Sequence, residues 1–211
     1  MLKQPSMANH GVGKRYRDAD LSKLNKEYFG DVLAYAKNFK KYMKAGEGLL
    51  LSGSVGSGKT YALVALMKYI KEQRGSLFDY YLVTAPLFFE RYATAEANEH
   101  DEYRGKPWKI LYEETPGFVL NDLGKEDRGR DWQASAANHK LGRILRARNE
   151  EQRPIFITTN LPVVPPRDGG VTFEKVYGPS IWSLVQEMTV ARSQIYAPDL
   201  REKKLQRDDD E

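Results

Sequence analysis

The sequence predicts an α/β domain built on a central parallel sheet with helices covering both faces. Three observations predict it. Short apolar runs of strand length alternate with longer stretches of helical periodicity, the pattern of parallel strands joined by crossover helices. A complete glycine-rich signature, Gly53-Ser54-Val55-Gly56-Ser57-Gly58-Lys59-Thr60, stands between one such run and the helix that follows it. A length of 211 residues suits one domain of this class, large enough to bury its own core.

The elements follow in order. Residues 1–28 read as an N-terminal arm, polar and irregular as far as Gly13, with Lys14-Arg15-Tyr16-Arg17 as the entry into structure. Residues 29–201 are the expected core, and 202–211 a charged tail ending Asp208-Asp209-Asp210-Glu211. From Phe29 to Met43, Val32, Leu33, Tyr35, Ala36, Phe39 and Tyr42 recur at helical spacing with lysines between them, which predicts an amphipathic helix. Gly46-Glu47-Gly48 ends it, and Leu49-Leu50-Leu51 reads as a short buried strand. A helix over Thr60–Ile70 comes after the glycine loop, then a strand at Tyr80–Thr84 and a helix from Pro86 to Tyr92. Ala93 to Lys109 is polar and reads as a surface excursion. Phe118-Val119-Leu120 is a third strand ending in Asn121-Asp122, and Trp132 to Asn149 a helix with Leu141, Ile144 and Leu145 inward. Pro154 to Thr159 is a fourth strand capped by Asn160, and Pro162 to Gly170 a Pro/Gly-rich loop. A last helix over Pro179–Val190 and an edge strand at Gln194-Ile195-Tyr196 complete the reading.

Composition narrows the chemistry. There is no cysteine, which excludes disulfides and thiolate metal sites. His10, His100 and His139 lie far apart without ligand spacing, so a zinc enzyme is not expected. A formal charge of +4 is compatible with a nucleic-acid partner without demanding one. The first residues lack a signal-peptide core, and no run approaches the roughly 18 apolar residues of a membrane span, so no membrane partner and a cytoplasmic location are expected.

The glycine loop specifies the chemistry most closely. Gly53, Gly56 and Gly58 permit backbone angles closed to other residues, so successive N–H groups can turn inward as an anion nest at the positive end of a helix. Residues Gly53, Ser54, Val55, Gly56, Ser57, Gly58, Lys59 and Thr60 are therefore expected to cradle the phosphates of ATP, as in a P-loop NTPase. Lys59 can reach the β- and γ-phosphates, and the Thr60 hydroxyl can ligate Mg2+. Asp122 ends a neighbouring strand, where P-loop enzymes put a magnesium-linked acid. It can serve as metal-linked acid, as the base that activates water, or as both. Asn160 can orient water near the γ-phosphate if its strand lies beside the phosphate strand; the alternative is a turn-forming residue before Leu161-Pro162.

Four segments carry a resemblance. They are Lys14 to Ala19, Val83-Thr84-Ala85-Pro86, Asn121 to Glu126, and above all Arg148 to Pro162. With the glycine loop they resemble the DnaC/DnaI-type replicative-helicase loaders and the related IstB-type transposition ATPases over roughly Lys14 to Arg201. The resemblance implies an AAA+ ATPase that forms homo-oligomers around DNA, single-stranded by preference, and uses ATP to load or recruit a replicative helicase. The alternatives it leaves are delivery of target DNA to a transposase, or a nucleotide-gated binding protein with little turnover. It also implies a sensor role for Asn160. Three departures accompany it: a short arm where such proteins usually carry a further domain, Ser180 and Leu184 where they usually carry arginines, and Asn121 in place of the usual first acid. Arg192 and Arg201 are the nearby arginines that could replace the missing pair, and Pro198-Asp199-Leu200-Arg201 resembles the closing Asp-x-Arg of these ATPases. Lys37, Lys40, Lys41 and Lys44, and Lys125, Arg128 and Arg130, are candidate phosphate contacts for DNA, with Trp108 a candidate stacking platform.

Overall fold

The computed structural model describes residues 11–97, 111–124, 130–167 and 169–200. Trp108, Lys125, Arg128, Arg201 and the charged tail lie outside the described residues, as do the first ten residues of the arm.

Five parallel strands form the described sheet: β1 (Gly48–Gly53), β2 (Tyr80–Thr84), β3 (Gly117–Leu123), β4 (Ile155–Thr159) and β5 (Thr189–Ile195), in the order β2-β3-β4-β1-β5. Six helices are used below: α1 (Lys26–Lys44), α2 (Lys59–Arg74), α3 (Ala85–Ala97), α4 (Arg130–Glu150), α5 (Phe173–Tyr177) and α6 (Pro179–Glu187). The alternation of residues along β1 explains why its sequence is a continuous apolar run. Leu49 and Leu51 enter one core with α1 and α2, whereas Leu50 enters a second core with α3, α4, α5 and α6. Both faces of the sheet are therefore covered, and a central strand needs apolar residues at every position.

α1 buries Phe29, Val32, Tyr35, Ala36, Phe39 and Met43, with Lys37, Lys40, Lys41 and Lys44 on the opposite, exposed face. Ahead of it, the chain from residue 12 packs onto the body. Ala19 is buried, and the Lys68 ammonium of α2 donates to the carbonyls of Arg17 and Ala19 at 2.7 and 2.8 Å. Leu141, Ile144 and Leu145 of α4 are fully buried, as their spacing predicts.

Two expectations need correction. The excursion after Tyr92 begins later, because α3 continues to Ala97. The last helix stops at Glu187, and Thr189 and Val190 belong to β5. Pairing with β1 takes over there, with Gly48 opposite Thr189, and Arg192 reaches back to cap the helix: its NH1 donates to Gln186 O at 3.1 Å and Thr189 O at 2.9 Å. β5 is the edge strand, and Tyr196 lies beyond it, 79% exposed.

Candidate functional site

Strand order brings the predicted residues to one place. The chain leaves β1, crosses to β2 at the far edge, and returns through β3 and β4 to β1's side. The C-terminal ends of β1, β3 and β4 thus meet where the order reverses, the usual ligand position of open α/β sheets.

The glycine loop runs from the end of β1 into α2. Gly53, Gly56 and Gly58 have φ of 151°, 81° and 87°, angles a side chain would strain. Lys59 opens α2 and folds back into the loop, 5% exposed. Its ammonium donates to Gly53 O at 2.9 Å, Ser54 O at 2.7 Å, Ser57 Oγ at 3.3 Å and Asn160 Oδ1 at 3.1 Å. Asn160 reaches Lys59 because β4 pairs directly with β1, Thr159 lying opposite Ser52. The sensor-like amide and the loop lysine, 101 residues apart in sequence, are in contact.

Thr60 makes the link to β3. Its hydroxyl donates to Asn121 Oδ1 at 2.6 Å, and the same oxygen accepts from Thr158 Oγ1 at 2.8 Å. Asp122 occupies a bulge between β3 and β4, where the register slips between Leu120 and Leu123, and its φ is 58°. Its N–H donates to Thr158 Oγ1 at 2.8 Å. The side chain in hydrogen-bond contact with Thr60 is therefore the neutral Asn121, and Asp122 is joined to it through Thr158. Sequence reasoning did not find Thr158. Its only signal was a pair of threonines, Thr158 and Thr159, ending an otherwise apolar strand.

The closing segment packs on the loop from outside. Leu200 N–H donates to Gly56 O at 3.1 Å, the Asp199 carboxyl lies against Gly56, and Leu200 packs with the Phe29 ring against Gly58. A Cβ at Gly56 would overlap the Asp199 carboxyl, and one at Gly58 would press on Leu200 and Phe29 at 3.0 and 3.2 Å. Ser180 is exposed at the start of α6, and Leu184 packs half-buried on the second core. Arg192 is engaged as a helix cap.

This arrangement fits a magnesium nucleotide. A left-handed glycine loop opens onto a helix N-terminus, a lysine is tethered to neutral acceptors, and a threonine hydroxyl gives its proton inward so that its lone pairs stay free for a cation.

No protein-family model matches the chain. Over 150 residues, 71% of this chain, it is 26% identical to the replicative helicase loader DnaI of Bacillus subtilis (strain 168), and the match spans 44% of that protein. The crystal structure of the DnaC helicase loader superposes with a TM-score of 0.67 at 25% identity, covering 87% of this chain and 99% of that one. AMPPCP-bound DnaA from Aquifex aeolicus superposes with a TM-score of 0.55 at 18% identity, over 90% of this chain and 56% of that one. The fold is that of an AAA+ P-loop NTPase of the DnaC/DnaI type. The resemblance first carried by short motifs thus extends over the AAA+ body, in sequence to DnaI and in structure to DnaC. Among the described residues no helix is long and apolar enough to cross a membrane.

Proposed function

We propose that the chain is an ATP-binding AAA+ protein of the cytoplasm that assembles on DNA as a homo-oligomer and loads or recruits a replicative helicase. The observation that carries this reading is the convergence of Lys59, Thr60, Asn121 and Asn160 at the ends of three adjacent strands, in a fold shared with helicase loaders. Amides of Val55 to Thr60 hold the phosphates of ATP. Lys59 exchanges the Gly53 and Ser54 carbonyls for β- and γ-phosphate oxygens, which frees Asn160 to orient water. Mg2+, when bound, draws charge off the phosphate oxygens, and Thr60 is the residue that holds it.

The exposed lysines of α1 supply a surface for the DNA backbone. Lys37, Lys40, Lys41 and Lys44 share one helical face, and none has an ion-pair partner among the described residues. Like charges three and four residues apart weaken a helix by a few tenths of a kcal/mol per pair, roughly 0.2–0.5, so an unneutralised stripe is a cost that phosphate contacts would offset. A second reading, nucleotide-gated binding with little turnover, is favoured by the neutral Asn121 beside Thr60.

Sedimentation of the chain with ATP and single-stranded DNA tests the proposal. Assemblies that need both ligands are expected; a monomer indifferent to both would end it, and a clear preference for duplex DNA would turn the reading toward target-DNA delivery to a transposase.

A further inference from the structure

At the junction of the loop and β3, three hydroxyl and amide groups are wired together without a carboxylate among them. Asn121 is 5% exposed, and its Oδ1 accepts from Thr60 and Thr158, while Thr158 in turn accepts from the Asp122 N–H. An acidic side chain at this position would do two things: take the Thr60 proton, which aims the threonine lone pairs at a cation, and add a negative charge that strengthens the cation's hold. The amide oxygen of Asn121 does the first and cannot do the second. Among the described residues no three His, Cys, Asp or Glu side chains group as a metal-binding cluster.

We infer that Asn121 is a positioning residue that keeps Thr60 oriented while leaving the metal weakly held, so that ATP occupancy is largely uncoupled from Mg2+. The inference rests on the nucleotide-site reading above and names how that site is regulated: binding of ATP, more than metal-assisted cleavage, sets the state of the protein. The wiring also makes the position convertible. Both neighbours donate to Asn121 Oδ1, so a carboxylate of the same shape satisfies them equally, and Asn121→Asp adds charge without removing a bond.

The test measures affinity of the 211-residue chain for a non-hydrolysable ATP analogue with EDTA or Mg2+, and the affinity of the analogue complex for Mn2+ by electron paramagnetic resonance. In the wild type, removing the metal is expected to change analogue affinity less than threefold. Asn121→Asp is expected to tighten Mn2+ about tenfold to a hundredfold, the range by which partners of metal-ligating groups alter metal affinity, and to make analogue binding metal-dependent. Wild-type protein that already depends on metal as strongly as Asn121→Asp overturns the inference. So does a loss of Mn2+ in Asp122→Asn, which would make Asp122 the acid that serves the metal; unchanged Mn2+ binding there supports it, and this arm stands alone should Asn121→Asp not fold. Failure of every folded variant to take up the analogue removes the nucleotide site itself, an outcome distinct from tight metal binding.

Discussion

Arg148 in α4 is fully buried, and its charge is met by carbonyl oxygens. NH1 donates to Tyr112 O and Glu113 O at 2.7 and 3.2 Å, NH2 to Thr115 O and Pro154 O at 2.8 and 2.6 Å. Burial pushes its pKa down to about 9, which leaves it protonated at neutral pH. The guanidinium therefore ties the entry to β3 and the entry to β4 onto α4, setting the two strands whose far ends carry Asn121 and Asn160. Arg148→Met removes these four bonds, Glu113 O keeping its donor in Arg153 NH1 at 3.0 Å, and is expected to destabilise the fold by about 3–5 kcal/mol, the scale for breaking a buried charged network, measured by urea unfolding. Arg148→Lys should recover only part of this, because one ammonium cannot span both strand entries. Lys59 differs in consequence. It is bonded to groups of the loop itself and to Asn160, and Lys59→Ala is expected to leave a folded protein by circular dichroism that no longer retains ATP in equilibrium dialysis.

At the scale of elements, two tests separate packing from function. Gly48 begins β1 so close to β4 that a Cβ would run into the Ile155 carbonyl oxygen. Gly48→Ala is therefore expected to cost stability, by roughly 1–3 kcal/mol if the strands part slightly, read from the thermal midpoint. The α1 lysines bear no such load. Replacing Lys37, Lys40, Lys41 and Lys44 with glutamine should raise the melting temperature slightly, as their mutual repulsion is relieved, and flatten the salt dependence of DNA binding, by roughly 0.7 in log–log slope for each single-strand phosphate that is no longer neutralised. Elements also differed in how legible they were. β1 and β4 stood out because covering on both faces makes them unbroken apolar runs. β5 was legible only at its end, Gln194-Ile195: as an edge strand carrying Arg192, Ser193 and Gln194 it lacks that signature, and its first residues continue α6 without a breaker. α5, a five-residue helix held by the buried Phe173 and Tyr177, is too short for periodicity to reveal.

For the whole molecule, what the sequence could convey depended on how local each relation was. The glycine loop is contiguous, so its turns of positive φ between β1 and α2 were legible from eight residues. The contact between Thr60 and Asn121 spans 61 positions and that between Asn121 and Thr158 spans 37, and these exist only because the sheet is ordered β2-β3-β4-β1-β5. Asn160 could be placed beside the loop in advance by likeness to helicase loaders, whereas Thr158, a hydroxyl in a buried strand, had no local mark. The same topology gathers the glycine loop, Asn121 and Asn160 at one end of the sheet. The α1 stripe lies along a helix whose C-terminus leads into the opposite end of β1, so ATP and DNA are expected to bind together rather than compete. A fluorescent single strand titrated at saturating and zero ATP checks this: tighter or equal binding with nucleotide fits, and displacement by ATP does not. The claim beneath all of these is that the loop from Gly53 to Thr60 grips a nucleotide triphosphate. Calorimetric titration of ATP into nucleotide-free wild-type protein, beside Lys59→Ala, addresses it most directly. A single saturable site present in the first and absent from the second is the predicted result; no heat in well-folded wild-type protein, or equal binding by both, would contradict it.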